Sequence, residues 1–526
     1  MESLTICPME YFAERTGSLN GCIKIADKLL DDRIWLHRDI YYKPAVENIF
    51  DTVFDFDVNV NREYLLSMDY LSALLTVYRE LKEERHKEKF LEIVGQFFDY
   101  FERGMFSPTK DDDLIICAQT LMFVKSFSII DYEKSLNAKI IDLLYKYAVY
   151  CHNDENYNDE NNHGLFTDLA LLHLSVLFGT LFEAEEWRKH AMKRVLKFFD
   201  ATFYKDGFNI EGSLSYFRLN LLQYRTIVKF CNAYNISGVG ALEKKIENAE
   251  QIFYSFARKD GSFPMIGDGT EIVLKEYNDI SALYPDAGIC VVKMGEMYLT
   301  FKCKGIMQAH THVDDMSITA RFQTFDLALD SGQYNYDRYH PVNRYLRTSG
   351  GHSGIFPLFA DGLGLREYLG RRNFGGVNKF ELNKETCLIS GGYELDGGEI
   401  KVYRDITVKP ECIEVRDSWT CSRPQNMRQR FILPAKFLDK SRYTASKSIF
   451  ETSAEEYDIR YEIKAGGKVS AVTTMNFGVL SKKYGEMEST VLLDTTAECS
   501  MRGEITALIT VERAENKKME NLPDEY

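Results

Sequence analysis

No uninterrupted apolar stretch in these 526 residues approaches the roughly 18 needed to span a bilayer, so membrane insertion is not expected. The opening residues, MESLTICPMEYFAERTG, lack the basic stretch and apolar segment of a signal peptide. As written the chain reads as cytoplasmic; a signal removed from in front of it would place it in the periplasm or outside the cell. The eleven cysteines, from Cys7 to Cys499, are odd in number and form no C-x-x-C pair. That reads as free buried thiols in a reducing compartment, not as a disulfide framework. A net charge of −15 argues against nonspecific binding to nucleic acid or to an anionic membrane. An anionic substrate remains open where basic residues gather locally.

The material that is present is ordinary for a globular protein, 45% hydrophobic and 27% charged, and the length predicts two or three domains. Two halves differ in period. Up to about residue 280, segments such as DDLIICAQTLMFVKSFSII and EEWRKHAMKRVLKFFDATFY carry apolar residues at three- and four-residue steps. Short polar or glycine-containing turns separate them. This predicts antiparallel helical hairpins that curl into a ring or solenoid, and the lack of a strict repeat disfavours a regular solenoid. Beyond DGSFPMIGDGT the period becomes two, as in MSITARFQTFDLALDSG and EIKVYRDITVKPECIEVRDSWT. That predicts an antiparallel β-sandwich over 281–515 after a helical domain over 1–280, with 516–526 a loose charged tail.

Unusual polar residues cluster in three places. NNHG, with Asn161, Asn162, His163 and Gly164, precedes the apolar run TDLALLHLSVLF. A helix cap by Asn, Thr167 or Asp168 accounts for one such residue, and a pocket rim near a helix N-terminus would account for all of them. DGFNIEGSLSYFRLN breaks the helical pattern with Glu211, Ser213, Ser215 and Tyr216; turn chemistry and ordinary tyrosine packing are the plain alternatives. Of ten histidines, four fall between 310 and 352. If HTHVDD is a strand, His310 and His312 share a face. Asp330 ends the next strand and His352 follows, so His312, Asp330 and His352 offer the two-histidine, one-carboxylate set that suits a divalent ion. Asp314 and Asp315 read as turn residues or supports for His312, with an acid–base pair as the alternative. His173 reads as a core histidine.

Taken together, NNHG, DGxxxEGSxxY and HxHxD…DSG…Y…RY…H, in that order, resemble the heparinase II/III-like polysaccharide lyases over residues 150 to 360. The resemblance implies an incomplete α/α toroid followed by an antiparallel β-sandwich. It also implies β-elimination on a uronate-containing polysaccharide, with heparin or heparan sulfate, hyaluronan or chondroitin expected first. Carried over by motif, Asn162 and His163 would hold the uronate carboxylate, and Tyr216 and His310 would move the two protons. His312, Asp330 and His352 would hold a structural divalent ion, zinc first, with manganese or calcium as alternatives. Glu211, Arg344 and Tyr345 would contact substrate. Phe217 departs from the histidine that many relatives carry, which puts the substrate in doubt more than the reaction.

The chemistry explains the residue types. Neutralising the carboxylate next to C5 lets an enolate-like charge build, and preorganised donors do this best. A tyrosine acting as the base needs nearby positive charge to lower its pKa. Arg338, Arg344, Arg347, Arg371 and Arg372 would form the local cationic surface for a polyanion. An anionic polysaccharide or oligosaccharide is the expected partner, with a homodimer as the expected self-association. Competing readings are an alginate or exopolysaccharide oligo-uronide lyase, a non-catalytic glycan-binding protein, and a glycoside hydrolase. The hydrolase would need two carboxylates about 5–10 Å apart, from Glu211, Asp268 and Asp314.

Overall fold

The computed structural model describes Cys7 and residues 18–36, 40–55, 58–109, 111–158, 163–305, 308–337, 339–466 and 469–514. Asn161, Asn162, Arg338 and the tail after residue 514 therefore lie outside the described residues. The chain divides into two compact units: 1–202 with 220–246, and 203–219 with 247–526.

The first unit is helical. Helices α1 (Leu19–Leu30), α2 (Val58–Ser67), α3 (Leu71–Leu81), α4 (Glu84–Glu102), α5 (Asp113–Ser126), α6 (Lys134–His152), α7 (His163–Leu177) and α8 (Ala184–Thr202) follow one another, with a two-residue ribbon of β1 (Ile34–Trp35) and β2 (Tyr41–Tyr42) after α1. Helix α4 shows why they pack: Phe90, Ile93, Val94, Phe97 and Phe98 are buried on one stripe while Glu88 and Glu92 face water. Helices α5 and α7 are apolar on every side, which marks central helices, and they pack on each other. His173 in α7 is a core histidine: its Nδ1 lies 2.8 Å from the Leu169 carbonyl and its ring stacks on Phe230 at 3.9 Å. Helices α9 (Leu214–Ala233) and α10 (Val239–Ser255) complete the helical set.

The second unit is built on two antiparallel sheets. Strands β3 (Ala282–Tyr284), β4 (Ile289–Met294), β5 (Met297–Lys302), β6 (Ser317–Phe322) and β7 (Phe325–Ala328) form a meander in chain order. The larger sheet comprises β8 (Ile355–Pro357), β9 (Arg372–Leu382), β10 (Cys387–Leu395), β11 (Ile400–Lys409), β12 (Cys412–Pro434), β13 (Arg442–Thr444), β14 (Ile449–Ala454), β15 (Tyr457–Gly466), β16 (Ala471–Leu480) and β17 (Glu488–Arg513). Its main order is β13-β14-β15-β17-β12-β11-β10-β9, with β16 on β17 and β8 on β12. Period two is visible in the burial of β11, where Ile400, Val402, Arg404, Ile406 and Val408 point inward. Val292, Leu299, Phe301 and Ile318 of the small sheet share one core with Ile406, Val415, Tyr461 and Ile509 of the large one. The two sheets therefore face each other as a sandwich. Arg404 stands fully buried within it, satisfied by both carboxylate oxygens of Asp417 at 2.6 and 2.7 Å and by the Met316 and Ser353 carbonyls. Two short helices, α11 (Pro341–Arg347) and α12 (Leu365–Arg371), lie between β7 and β9.

No helix among the described residues is long and apolar enough to cross a membrane. None of the eleven cysteines, all among the described residues, is in a disulfide, and eight are buried.

Candidate active site and metal centre

In the second unit three loops meet at Asp268. The loop before α9 is shaped by local turns: Asn209 Oδ1 accepts the Glu211 backbone N–H at 3.1 Å, and Gly212 takes a positive φ of 65°. A Cβ on Gly212 would sit 2.6 Å from the Thr311 methyl, so glycine here permits the close approach of the histidine loop. The loop over 265–270 is stitched to the start of α9: Ser213 Oγ donates to the Asp268 carbonyl at 3.0 Å and the Thr270 N–H donates to Ser215 Oγ at 3.0 Å. The Asp268 N–H in turn donates to the His310 carbonyl at 2.9 Å. Gly267, also at positive φ, would carry a Cβ only 2.5 Å from that carbonyl.

The side chains converge in the same way. His310 Nδ1 lies 3.0 Å from Asp268 Oδ2, His312 Nε2 lies 2.8 Å from Asp268 Oδ1, and Arg347 Nη1 donates to both oxygens at 2.9 and 2.7 Å. Burial alone would raise the Asp268 carboxyl, but these three partners outweigh it and hold it far below the ordinary range. Arg347 ends α11 and also holds the histidine loop through the Ala309 carbonyl at 2.6 Å. The ring of Tyr216, half-buried, lies flat on His310, with centroids 3.3 Å apart and planes 13° from parallel. Its hydroxyl donates to Tyr336 at 3.1 Å, and the carboxylate of Glu211 comes within 3.4 Å of His310 Nε2.

Several expectations are corrected by this geometry. HTHVDD is not a strand: β6 begins only at Ser317, and His310 and His312 sit in a loop. They reach one carboxylate because the loop wraps Asp268, not because of a pleat. His312 is braced by Asp268, whereas Asp314 pairs with Lys302 at 2.6 Å and Asp315 with Arg372 at 2.6 Å and the Tyr368 hydroxyl at 2.9 Å. Asp314 is thus committed to the buried Lys302 and Asp268 to Arg347 and two histidines, and the hydrolase reading loses its carboxylate pair. The arginine surface also shrinks. Arg371 is bidentate to Asp396 and Arg372 to Asp315, and Nη1 of Arg347 donates to both oxygens of Asp268. Arg344 stays exposed, with no ion pair among the described residues. Tyr345 is half-buried beside it, its hydroxyl buried and unpartnered among the described residues, and burial raises its pKa. Phe217 packs in the core against Phe203, Phe208 and Phe253, so it fills space and does not line a substrate surface. The tyrosine pKa also moves opposite to expectation. Burial, then Tyr336, Asp268 and Glu211, push the Tyr216 hydroxyl well above its ordinary value.

His312, Asp330 and His352 come together, all buried, with donor atoms within 4.8 Å of one another. They sit in loops flanking β6 and β7 and after a 3₁₀ turn at 349–351, not within neighbouring strands. His352 Nδ1 lies 3.0 Å from Asp330 Oδ1. His312 Nδ1 and His352 Nε2 are buried and without a hydrogen-bond partner among the described residues. Two unpartnered buried imidazole nitrogens beside a carboxylate are costly without a ligand and fit a divalent ion that accepts nitrogen and oxygen donors.

His163 belongs to the first unit, where it opens α7 with Nδ1 2.7 Å from Asp113 Oδ1. Gly164 is required by packing: a Cβ there would lie 2.5 Å from the Asn158 carbonyl and 2.8 Å from the Tyr157 ring. Asp168 accepts from the Tyr157 hydroxyl at 2.9 Å instead of capping the helix.

Residues 56–289 match the family model described as heparinase II/III N-terminus, and 278–516 match heparinase II/III-like, C-terminal. Among solved structures, a heparinase III is 12% identical with a TM-score of 0.79, covering 97% of this chain and 88% of its own. The heparan sulfate lyase HepC from Pedobacter heparinus is 14% identical with a TM-score of 0.69, covering 96% and 85%. A chondroitin AC lyase from Streptomyces coelicolor A3, in complex with chondroitin sulphate, is 7% identical with a TM-score of 0.53, covering 94% and 83%. No curated protein sequence matches.

Proposed function

This chain belongs to the heparinase II/III-like family and is a polysaccharide lyase, and we propose that it breaks uronate-containing glycosaminoglycans by β-elimination, leaving 4,5-unsaturated uronate ends. The observation that carries the reading is the stack of Tyr216 on His310 with Asp268 and Arg347 behind it. The substrate class is supported by two of the similar structures, a heparan sulfate lyase and a chondroitin AC lyase.

On this reading Asn162 and His163 offer donors to the uronate carboxylate, so that charge building on it during removal of the C5 proton is met by fixed dipoles. Asn162 comes from the motif alone. Tyr216, whose hydroxyl is held protonated by its surroundings, serves as the acid for the leaving oxygen. Asp268 at Nδ1 of His310 directs the other ring nitrogen, Nε2, toward the role of base. Glu211 stands beside that nitrogen, and Arg344 and Tyr345 are the candidate outer contacts to substrate.

His312, Asp330 and His352 would hold a divalent ion, zinc in first place. When bound it supplies fixed positive charge and a cross-link between loops. The residues' own contribution is positional: His312 shares Asp268 with His310, so ordering one orders the other.

Incubation with heparan sulfate, chondroitin sulfates, hyaluronan and alginate, followed by ultraviolet absorbance and mass spectrometry, tests the proposal. Unsaturated uronate products from a glycosaminoglycan support it. Reducing ends without unsaturation, or unsaturated products from alginate alone, overturn it.

A further inference from the structure

The ring of His163 is oriented from below. Asp113, the first residue of α5, is 3% exposed, and its Oδ1 lies 2.7 Å from His163 Nδ1 while also accepting the Leu114 N–H at 2.8 Å. Helices α5 and α7 pack along each other, so two central helices set this contact, not a loop. A buried carboxylate facing Nδ1 accepts its proton, fixes the tautomer and favours the imidazolium. The other titratable groups in this neighbourhood are Glu63 on α2, Asp111 and Asp112 before α5, and Tyr150 and Cys151 on α6. Glu63 senses His163, Asp113 and Asp112, and Tyr150 senses all three aspartates. Burial pushes Glu63 up to about 7, and the carboxylate of Asp113 is in direct contact with the ring.

We propose that Asp113 is a positioning residue for the elimination: it fixes the tautomer and direction of His163 and supports its positive charge, so that the ring meets the substrate carboxylate already oriented. This rests on His163 being part of the uronate clamp. A plain helix-end role for Asp113 explains its bond to the Leu114 N–H but not the one to His163.

The test is a set of three variants, Asp113→Asn, His163→Gln and the double variant, with His163 followed by nitrogen-15 NMR. In the wild-type protein at high pH the ring should carry its proton on Nδ1; the opposite tautomer overturns the proposal without any variant. In Asp113→Asn the ring should titrate at lower pH than in wild type, and kcat/KM should fall by about 10- to 100-fold, mainly in kcat. On the His163→Gln background the same substitution should change activity by less than about twofold. Equal losses on both backgrounds make Asp113 a structural residue and overturn the proposal. A fully active His163→Gln overturns the clamp reading and with it the catalytic use of Asp113. NMR separates the two failures because it reports the Asp113–His163 bond independently of turnover.

Discussion

Replacing Asp268 by Asn should damage both stability and turnover, for reasons that can be counted. The carboxylate is 2% exposed and serves Arg347, His310 and His312 through contacts of 2.7 to 3.0 Å. Asparagine keeps the shape, but one oxygen becomes an amide N–H₂ that can only donate. Whichever oxygen is replaced, one histidine and one of the two Arg347 Nη1 contacts then face a donor. The guanidinium also loses its counter-charge. Breaking a buried pair from one side costs about 3–5 kcal/mol. Arg347 keeps partial solvent contact and its bonds to the Ala309 and Thr311 carbonyls, which argues for the lower end. About 3 kcal/mol corresponds to a fall in Tm of roughly 5 °C for a unit of about 300 residues. Turnover should fall further, by about 10²–10⁴-fold, because His310 loses the group that directs it. Calorimetry and the initial rate of unsaturated-product absorbance, measured on the same preparation, check both. A folded variant melting within about 1 °C of wild type and turning over normally would refute the idea that Asp268 organises the site.

Three further outcomes are expected. Tyr216→Phe should fold normally and lose about 10²–10⁴-fold in turnover, since it removes only the hydroxyl; steady-state rates beside a circular dichroism spectrum decide it. Elemental analysis of protein prepared without chelator should return about one divalent ion per chain, and His352→Ala should abolish it; an empty wild-type protein would sink the metal reading. Glu63 should make the first unit less stable as pH rises. Burial, reinforced by Asp113 and Asp112 and opposed by His163, raises its carboxyl to about 7. A raised folded-state pKa favours the protonated native form, so the contribution is complete below the ordinary carboxylate value and is lost as pH climbs through about 7. The loss is at most about 3 kcal/mol between pH 4 and 8. Glu63→Gln should flatten that part of the urea-midpoint profile, and an unchanged slope would count against it.

The change of period was legible because a buried stripe and a pleated face leave different spacings in the chain, as Phe90–Phe98 and Ile400–Val408 do. That His312, Asp330 and His352 come together was legible from residue type, but the geometry differs from the strand expected. HTHVDD alternates like a strand, yet its backbone follows a carboxylate that comes from 42 residues earlier. Such long-range acceptors leave no local trace. The available signal was GDGT, an aspartate between two glycines, where Gly267 admits the His310 carbonyl at a distance no Cβ allows. The arginines were misjudged for the same reason. Arg371 and Arg372 look like exposed loop cations in sequence, and only the fold brings Asp396 and Asp315 against them. The packing of residues 203–219 with the β-rich unit is likewise a tertiary fact that short-range pattern does not encode.

On the proposed reading the two proton-transfer groups, Tyr216 and His310, are set apart by what surrounds them. A tyrosine acts as a base only after losing its own proton, and around Tyr216 that loss is opposed by burial, by Tyr336 and by the charges of Asp268 and Glu211. The substrate carboxylate would add one more negative charge, so binding strengthens the protonated state. The same hydroxyl is therefore best placed to give a proton to an oxygen that is becoming an alkoxide, whose basicity rises as the bond to C4 breaks. His310 is placed for the opposite task. Asp268 holds it through Nδ1, and Arg347 and His312 fix Asp268, so the ring gains a proton without having to turn. On the proposed reading, the parallel stack of the two rings would set the acid and the base side by side at the C5 proton and the neighbouring C4 oxygen.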